Sequence, residues 1–302
     1  MKSNIFQNKI FMPAAALFCC ALWGCSTPIV KIGYAFVDAT NVPSLILWAG
    51  IQFVLAGVLT ICAYSVVSGH LVFPQKKNLK GVVLISIFQT VLQYTMLYVG
   101  LLHTTAVKGA ILKSTDVFFV MLIASLLFRQ EPLTAKKLLS CIIAFVGIVI
   151  MNLDGLSLDV NLMGDGLVVL GILAYSFAVV ITRLVARDEN PAVLCGYQMM
   201  LGGAIMFVAG VAFGGKIDLR GLLPIIICLS VLYAVSYSLW TALLKFNPAS
   251  KVIIHSFMTP VFGVGFSMLL LREQGNVATI NLVLALILVC AGIIVGEKSG
   301  EN

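Results

Sequence analysis

Lys113 and Asp116 stand three residues apart inside a stretch, residues 106 to 128, that is otherwise almost wholly apolar. Ionisable groups are costly in hydrocarbon and are by default candidates for substrate or proton handling. Three residues apart on a helix, the two share a face and are placed to form an ion pair. Such a pair either meets a charged solute or locks its helix, with Lys113 snorkelling to the nearer interface. His255, whose reference pKa lies near physiological pH, is a second titratable candidate, the alternative being a hydrogen-bonded packing residue. Further along, Gln89, Gln93, Tyr94 and Tyr98 lie on one apolar run and Tyr233, Ser236, Tyr237 and Trp240 on another. Amides and phenols hydrogen-bond a polar solute while the rings give it apolar area. The alternative for Gln93, Tyr94 and Tyr237 is a place in interfacial belts or interhelical hydrogen bonds.

The elements that must hold these groups are membrane helices. The 302 residues are 61% hydrophobic and only 10% charged, where soluble chains carry roughly 25% charged residues. Apolar runs long enough to cross a hydrocarbon core of roughly 30 Å recur along the whole chain. They predict ten spans, at about 12–36, 45–69, 82–102, 106–128, 138–152, 167–186, 192–213, 223–244, 249–271 and 279–296. The fold class expected is an all-α integral membrane protein. The first run resembles a signal-peptide core after Lys2 and Lys9, but it continues past Cys25 to Lys31, so a retained first span is expected. The net charge of +7 reflects topology rather than nucleic-acid binding. Basic residues such as Lys76, Lys77, Lys136, Lys137, Arg183 and Arg187 gather on the side of the N-terminus. That bias predicts both termini in the cytoplasm.

The chain also repeats itself. "IQFVLAGVLTICA" (51–63) matches "YQMMLGGAIMFVA" (197–209) through Gln52 and Gln198, and Gly147 in "FVGIVI" matches Gly292 in "CAGIIV". Glu131 and Glu273 close the matching endings "LLFRQEP" and "LLLREQG", and at the same offset Lys113 falls opposite His255. Residues 1–153 and 160–302 therefore read as two copies of one unit. Five spans per unit is an odd number, so the second copy must cross in the opposite sense. Inverted repeats of this kind are characteristic of secondary transporters, with a site at mid-membrane between the halves. Lys113 and His255 are expected to face each other across that site.

"ALWGCSTPIVK" (21–31), "TPVFGVGFSMLLLRE" (259–273) and its first-half partner ending in Glu131 resemble the EamA type of the drug/metabolite transporter superfamily. The resemblance implies a central cavity lined by the first, third, fourth, sixth, eighth and ninth spans and movement of small metabolites. It adds Trp23 and Pro28 of the first-span motif to the candidates. One departure stands out: Phe118 occupies the position equivalent to Pro260, so the fourth span lacks the helix-bending proline.

The function expected is a secondary, non-ATP transporter of small polar metabolites such as amino acids, working as an exporter in a bacterial cytoplasmic (inner) membrane, by proton exchange through Asp116 or His255 or by simple facilitated movement. The competing classes are a membrane-embedded enzyme on lipid substrates and an auxiliary membrane subunit. The enzyme would need paired carboxylates, HExxH or a nucleophile with its base; no such set is present, so no catalytic role, cofactor or metal is expected. The eight cysteines lie within spans, form no CxxC and read as packing residues. Lys108 is expected as an interfacial anchor, and Glu131 and Glu273 as helix-end anchors at the headgroups or, less simply, as gate residues.

Overall fold

The computed structural model describes residues 5–38, 40–153, 156, 159–271 and 279–298. Nine helices among them are long and apolar enough to cross a membrane: α1 (Phe11–Gly33), α2 (Val42–Ser68), α3 (Lys76–Leu102), α4 (Val107–Leu127), α6 (Gly164–Ala186), α7 (Pro191–Ala212), α8 (Leu219–Phe246), α9 (Ala249–Leu270) and α10 (Ile280–Glu297). A tenth, α5 (Ala135–Met151), has 17 residues and packs along α10. At about 1.5 Å per residue it reaches roughly 25 Å, a modest mismatch with the bilayer. Helices are the form available to such sequences, because each bonds its own backbone where no water can. The caps are polar residues at the boundaries: Asn41 on α2, Asn190 on α7, Asp218 on α8 and Thr134 on α5 each accept a backbone N–H of the first turn.

The helices pack as two inverted five-helix repeats. α2 lies against its equivalent α7, and α5 against its equivalent α10. Other contacts come in matched pairs: α1 with α8 as α6 with α3, α1 with α9 as α6 with α4, and α2 with α8 as α7 with α3. The sequence matches that revealed the repeat are interface residues. A Cβ on Gly50 of α2 would stand 2.4 Å from the Phe207 nitrogen, and one on Gly203 of α7 would stand 2.6 Å from the Val54 nitrogen. Small residues let these backbones approach where no hydrophobic force drives helices together. Gly147 and Gly292 do the same between α5 and α10.

α4 and α9 are both discontinuous. In α4, Ala106–Lys113 ends at Ser114 and a new segment begins at Asp116. In α9, a 3-10 turn at Ile254–Phe257 separates Ala249–Ile253 from Met258–Leu271. The missing proline does not spare α4. The Ser114 hydroxyl donates to the Ala110 carbonyl at 3.0 Å and the Thr115 hydroxyl to the Leu112 carbonyl at 2.6 Å. Such local bonds compete with the helix ladder and bend it. α3 carries a π-helical stretch at Ser86–Leu92, and α4 another at Ile123–Leu127.

Candidate functional site

One end of the bundle carries the N-terminal turn Ile5–Gln7, the end of α10 and the start of α9; it is called the terminal end below. α4 and α9 pack together through the segments nearest that end, Asp116–Leu122 and Ala249–Ile253, and their other segments have no comparable packing. The two broken helices therefore part toward the opposite end and leave a cleft. Lys113, on the last turn before the α4 break, is solvent-accessible although protein atoms surround it, which places it on the cleft wall. A Cβ on Gly265 of α9 would meet nothing within 4 Å.

The ionisable side of the cleft differs from the sequence expectation in two respects. No ion pair within 4 Å joins Lys113 to Asp116, because the break between them removes the shared face. Asp116 is buried at 7% exposure, with the Ser256 hydroxyl donating weakly at 3.4 Å and 3.5 Å to its two oxygens. His255 does not face Lys113. It is fully buried, its Nδ1 3.2 Å from the Val252 carbonyl and its Nε2 3.2 Å from the Glu297 carboxylate. In a 3-10 turn consecutive side chains diverge by a third of a revolution, so Ser256 reaches Asp116 while His255 turns to α10. Tyr175 of α6, Cys20 of α1 and Cys141 of α5 also lie within electrostatic range of Asp116. The carboxylate thus sits where five helices converge.

The aromatic side brings three candidates together. The Tyr94 and Tyr237 hydroxyls are hydrogen-bonded at 2.9 Å across α3 and α8. Trp23 lies 5.3 Å from the Tyr237 ring and 4.9 Å from Trp240, centroid to centroid. Tyr94 packs edge-on to Phe53 at 4.7 Å, and Phe53 stacks on Tyr233 at 5.5 Å. Offset and edge-to-face rings at these separations attract beyond their buried area. Gln93 is adjacent, its buried Oε1 without a hydrogen-bond partner, as are the indole nitrogens of Trp23 and Trp240. Phe53 was not legible as a site residue: nothing in the α2 run distinguishes it from core phenylalanines. Ser256 was signalled only by its neighbour His255.

The terminal end is tied shut by side chains that cross between the halves. Glu131, 8% exposed, accepts from Lys137 Nζ at 2.8 Å, from the Ser250 backbone N–H at 3.0 Å and from the Ser250 hydroxyl. Burial pushes its carboxyl up, but the bonds from Lys137 and Ser250 outweigh that and hold it below the ordinary carboxylate range. Arg183 of α6 donates to Gln130 at 2.7 Å and to the Asn247 carbonyl at 2.9 Å. Glu131 is thus a buried cross-link rather than a headgroup anchor; Arg272 and Glu273 lie outside the described residues. Lys108 is likewise no lipid anchor: its Nζ meets Asp165 of α6 at 2.7 Å and donates to the Asp159 carbonyl.

This chain is similar to known transporters along nearly all its length. The sequence model of the EamA-like transporter family matches residues 11–153 and again 162–295. An uncharacterized transporter of Archaeoglobus fulgidus is 24% identical over 262 residues, covering 85% of this chain and 89% of the relative. The uncharacterized transporter YvbV of Bacillus subtilis is 22% identical over 294 residues, 93% and 90% of the two chains. A solved crystal structure superposes with a TM-score of 0.74 at 14% identity, covering 94% of this chain and 98% of that one.

Proposed function

This multi-pass membrane protein belongs to the EamA-like transporter family, and from that premise we propose that it is a secondary transporter of small polar metabolites, amino acids or related compounds, working by alternating access. The observation that carries the reading is the pair α4 and α9. Equivalent helices of an inverted repeat, both are interrupted in the first half of their length and pack together toward one end, with Lys113 and Asp116 flanking the α4 break. Broken helices at the repeat interface are a recurring form of transporter binding site.

In this reading Lys113 meets a carboxylate of the solute and Asp116 an ammonium, while Tyr94, Tyr237 and Trp23 cover its apolar part. Gln93 offers an unpaired acceptor at the same depth. The basic loops on their side support a cytoplasmic position for both termini, and the reading takes the membrane as a bacterial inner membrane. The cleft then opens outward, and the reading takes export as the direction. Asp116, buried beside the α4 break with the Ser256 hydroxyl only weakly bonded to it, is the group to which the reading assigns proton exchange.

The test is flux. Purified protein in liposomes is expected to move at least one member of an amino-acid panel, with the Asp116→Asn variant folded but slowed. Absence of flux for every solute would remove the reading.

A further inference from the structure

Resting on the alternating-access reading, we infer that Glu131 is the latch of the terminal end, a positioning residue that holds the first segment of α9 against α4 and so brings Ser256 to Asp116.

Four observations converge on Glu131. It follows α4 in the first half, yet two of its three donors are on Ser250, at the start of α9 in the second half. The third, Lys137, belongs to α5 and fixes the carboxylate from behind; its Nζ also donates to the Pro132 carbonyl at 3.0 Å. This end is where α4 and α9 pack together, so releasing Ser250 frees α9 where it is held. Finally, Ser250 helps line a small cavity, with room for about one water molecule, beside Lys137, Ser140, Cys141 and Lys251. A void beside the latch gives α9 space to begin moving.

The groups that face the Glu131 carboxylate are Lys137 from α5, Ser250 from α9 and, within electrostatic range, Arg183 from α6. All but the serine are cations, so ionised Glu131 is held and neutral Glu131 is released. The Ser250 hydroxyl and N–H remain bonded only while the carboxylate stays between the halves.

Cys141 supplies a native reporter. It is 1% exposed and lines the cavity that Ser250 helps to close. The experiment measures modification of Cys141 by a dipyridyl disulfide in detergent, a reagent whose ring protonation in acid offsets the loss of thiolate, read by peptide mass spectrometry on the full chain. Glu131→Gln removes charge-assisted bonds, and the modification rate should rise about tenfold. Glu131→Asp should lie between, and Ser250→Ala should rise less than Glu131→Gln. In the unmutated protein the rate should climb as pH falls below the ordinary carboxylate range, and Glu131→Gln should abolish that climb. A merely structural glutamate would leave the pH profile unmoved. If Glu131→Gln does not fold, Ser250→Ala and the pH profile decide. Unchanged rates in the folded variants, or a flat profile in the unmutated protein, would overturn the latch. Labelling needs no solute, so failure of liposome flux with a positive labelling result would count against the transport reading and not against this one.

Discussion

The two ends of the bundle are built from equivalent helices but are held differently. At the terminal end, Glu131, Lys137 and Ser250 tie α4 and α5 to α9, and Gln130, Arg183 and Asn247 tie the α4–α5 loop to α6 and α8. Among the described residues, the ties at the opposite end bypass α9. Lys108 joins α4 to Asp165 of α6, and the backbone of Val37 bridges Ile217 between the loops that follow α1 and α7. On the proposed alternating-access reading, the difference separates a frame centred on α2 and α7 from a moving pair, α4 and α9, held together toward one end. An inverted repeat can exchange those roles, which is what alternating access requires.

The largest effect should come from the frame. Gly50→Ala or Gly203→Ala forces a Cβ into backbone across the α2–α7 contact, at a cost of about 3 kcal/mol. Loss of folded protein, or a large drop in the apparent unfolding temperature, is the expected outcome. Gly265→Ala on α9 meets open space and should change stability by less than about 0.5 kcal/mol. Equal effects at the two sites would erase the distinction between frame and moving pair.

Asp116→Asn comes next. It keeps the shape and removes the charge, so folded protein with transport reduced about tenfold or more is expected from loss of a charge-assisted contact. A structural carboxylate would instead give loss of folded protein. Transport should also depend on Tyr237. Tyr237→Phe deletes the hydroxyl bonded to Tyr94 and should cost about 1 kcal/mol, read as a several-fold weaker apparent affinity with little change in folding.

The latch adds a pH prediction. Glu131 has a folded pKa below its unfolded value, so the stability it contributes is present above the unfolded value and is lost as pH falls through the folded one. Closure of the terminal end should therefore hold at neutral pH and weaken only in acid. The smallest effect belongs to the rim. Lys77→Met breaks the pair with Asp188, whose side chains are 59% and 66% exposed, and should cost less than about 0.5 kcal/mol, measured by thermal unfolding.

The frame was legible because its signals are long-range and additive. Ten apolar runs, the Gln52 and Gln198 match and the Gly147 and Gly292 match all point one way, and the last pair is the α5–α10 contact itself. The aromatic side of the site was partly legible, since Tyr94, Tyr237 and Trp23 do meet. The ionisable side was not. Phe118 in place of a proline suggested an unbroken α4, but the hydroxyls of Ser114 and Thr115 break it and separate Lys113 from Asp116. A one-residue difference in the 3-10 turn then exchanged His255 for Ser256. The Glu131 clamp joins residues 119 positions apart, a proximity that only the folded repeat creates.

The most direct test is a pair of distances measured by electron-spin resonance in lipid nanodiscs. Labels at Ala110 and Val264 report the α4 to α9 separation on the cleft side, and labels at Leu127 and Lys251 report it at the terminal end. The account predicts that Glu131→Gln shortens the first distance and lengthens the second, in the same fraction of molecules. Distances that stay fixed, or that change together in one sense, would contradict it.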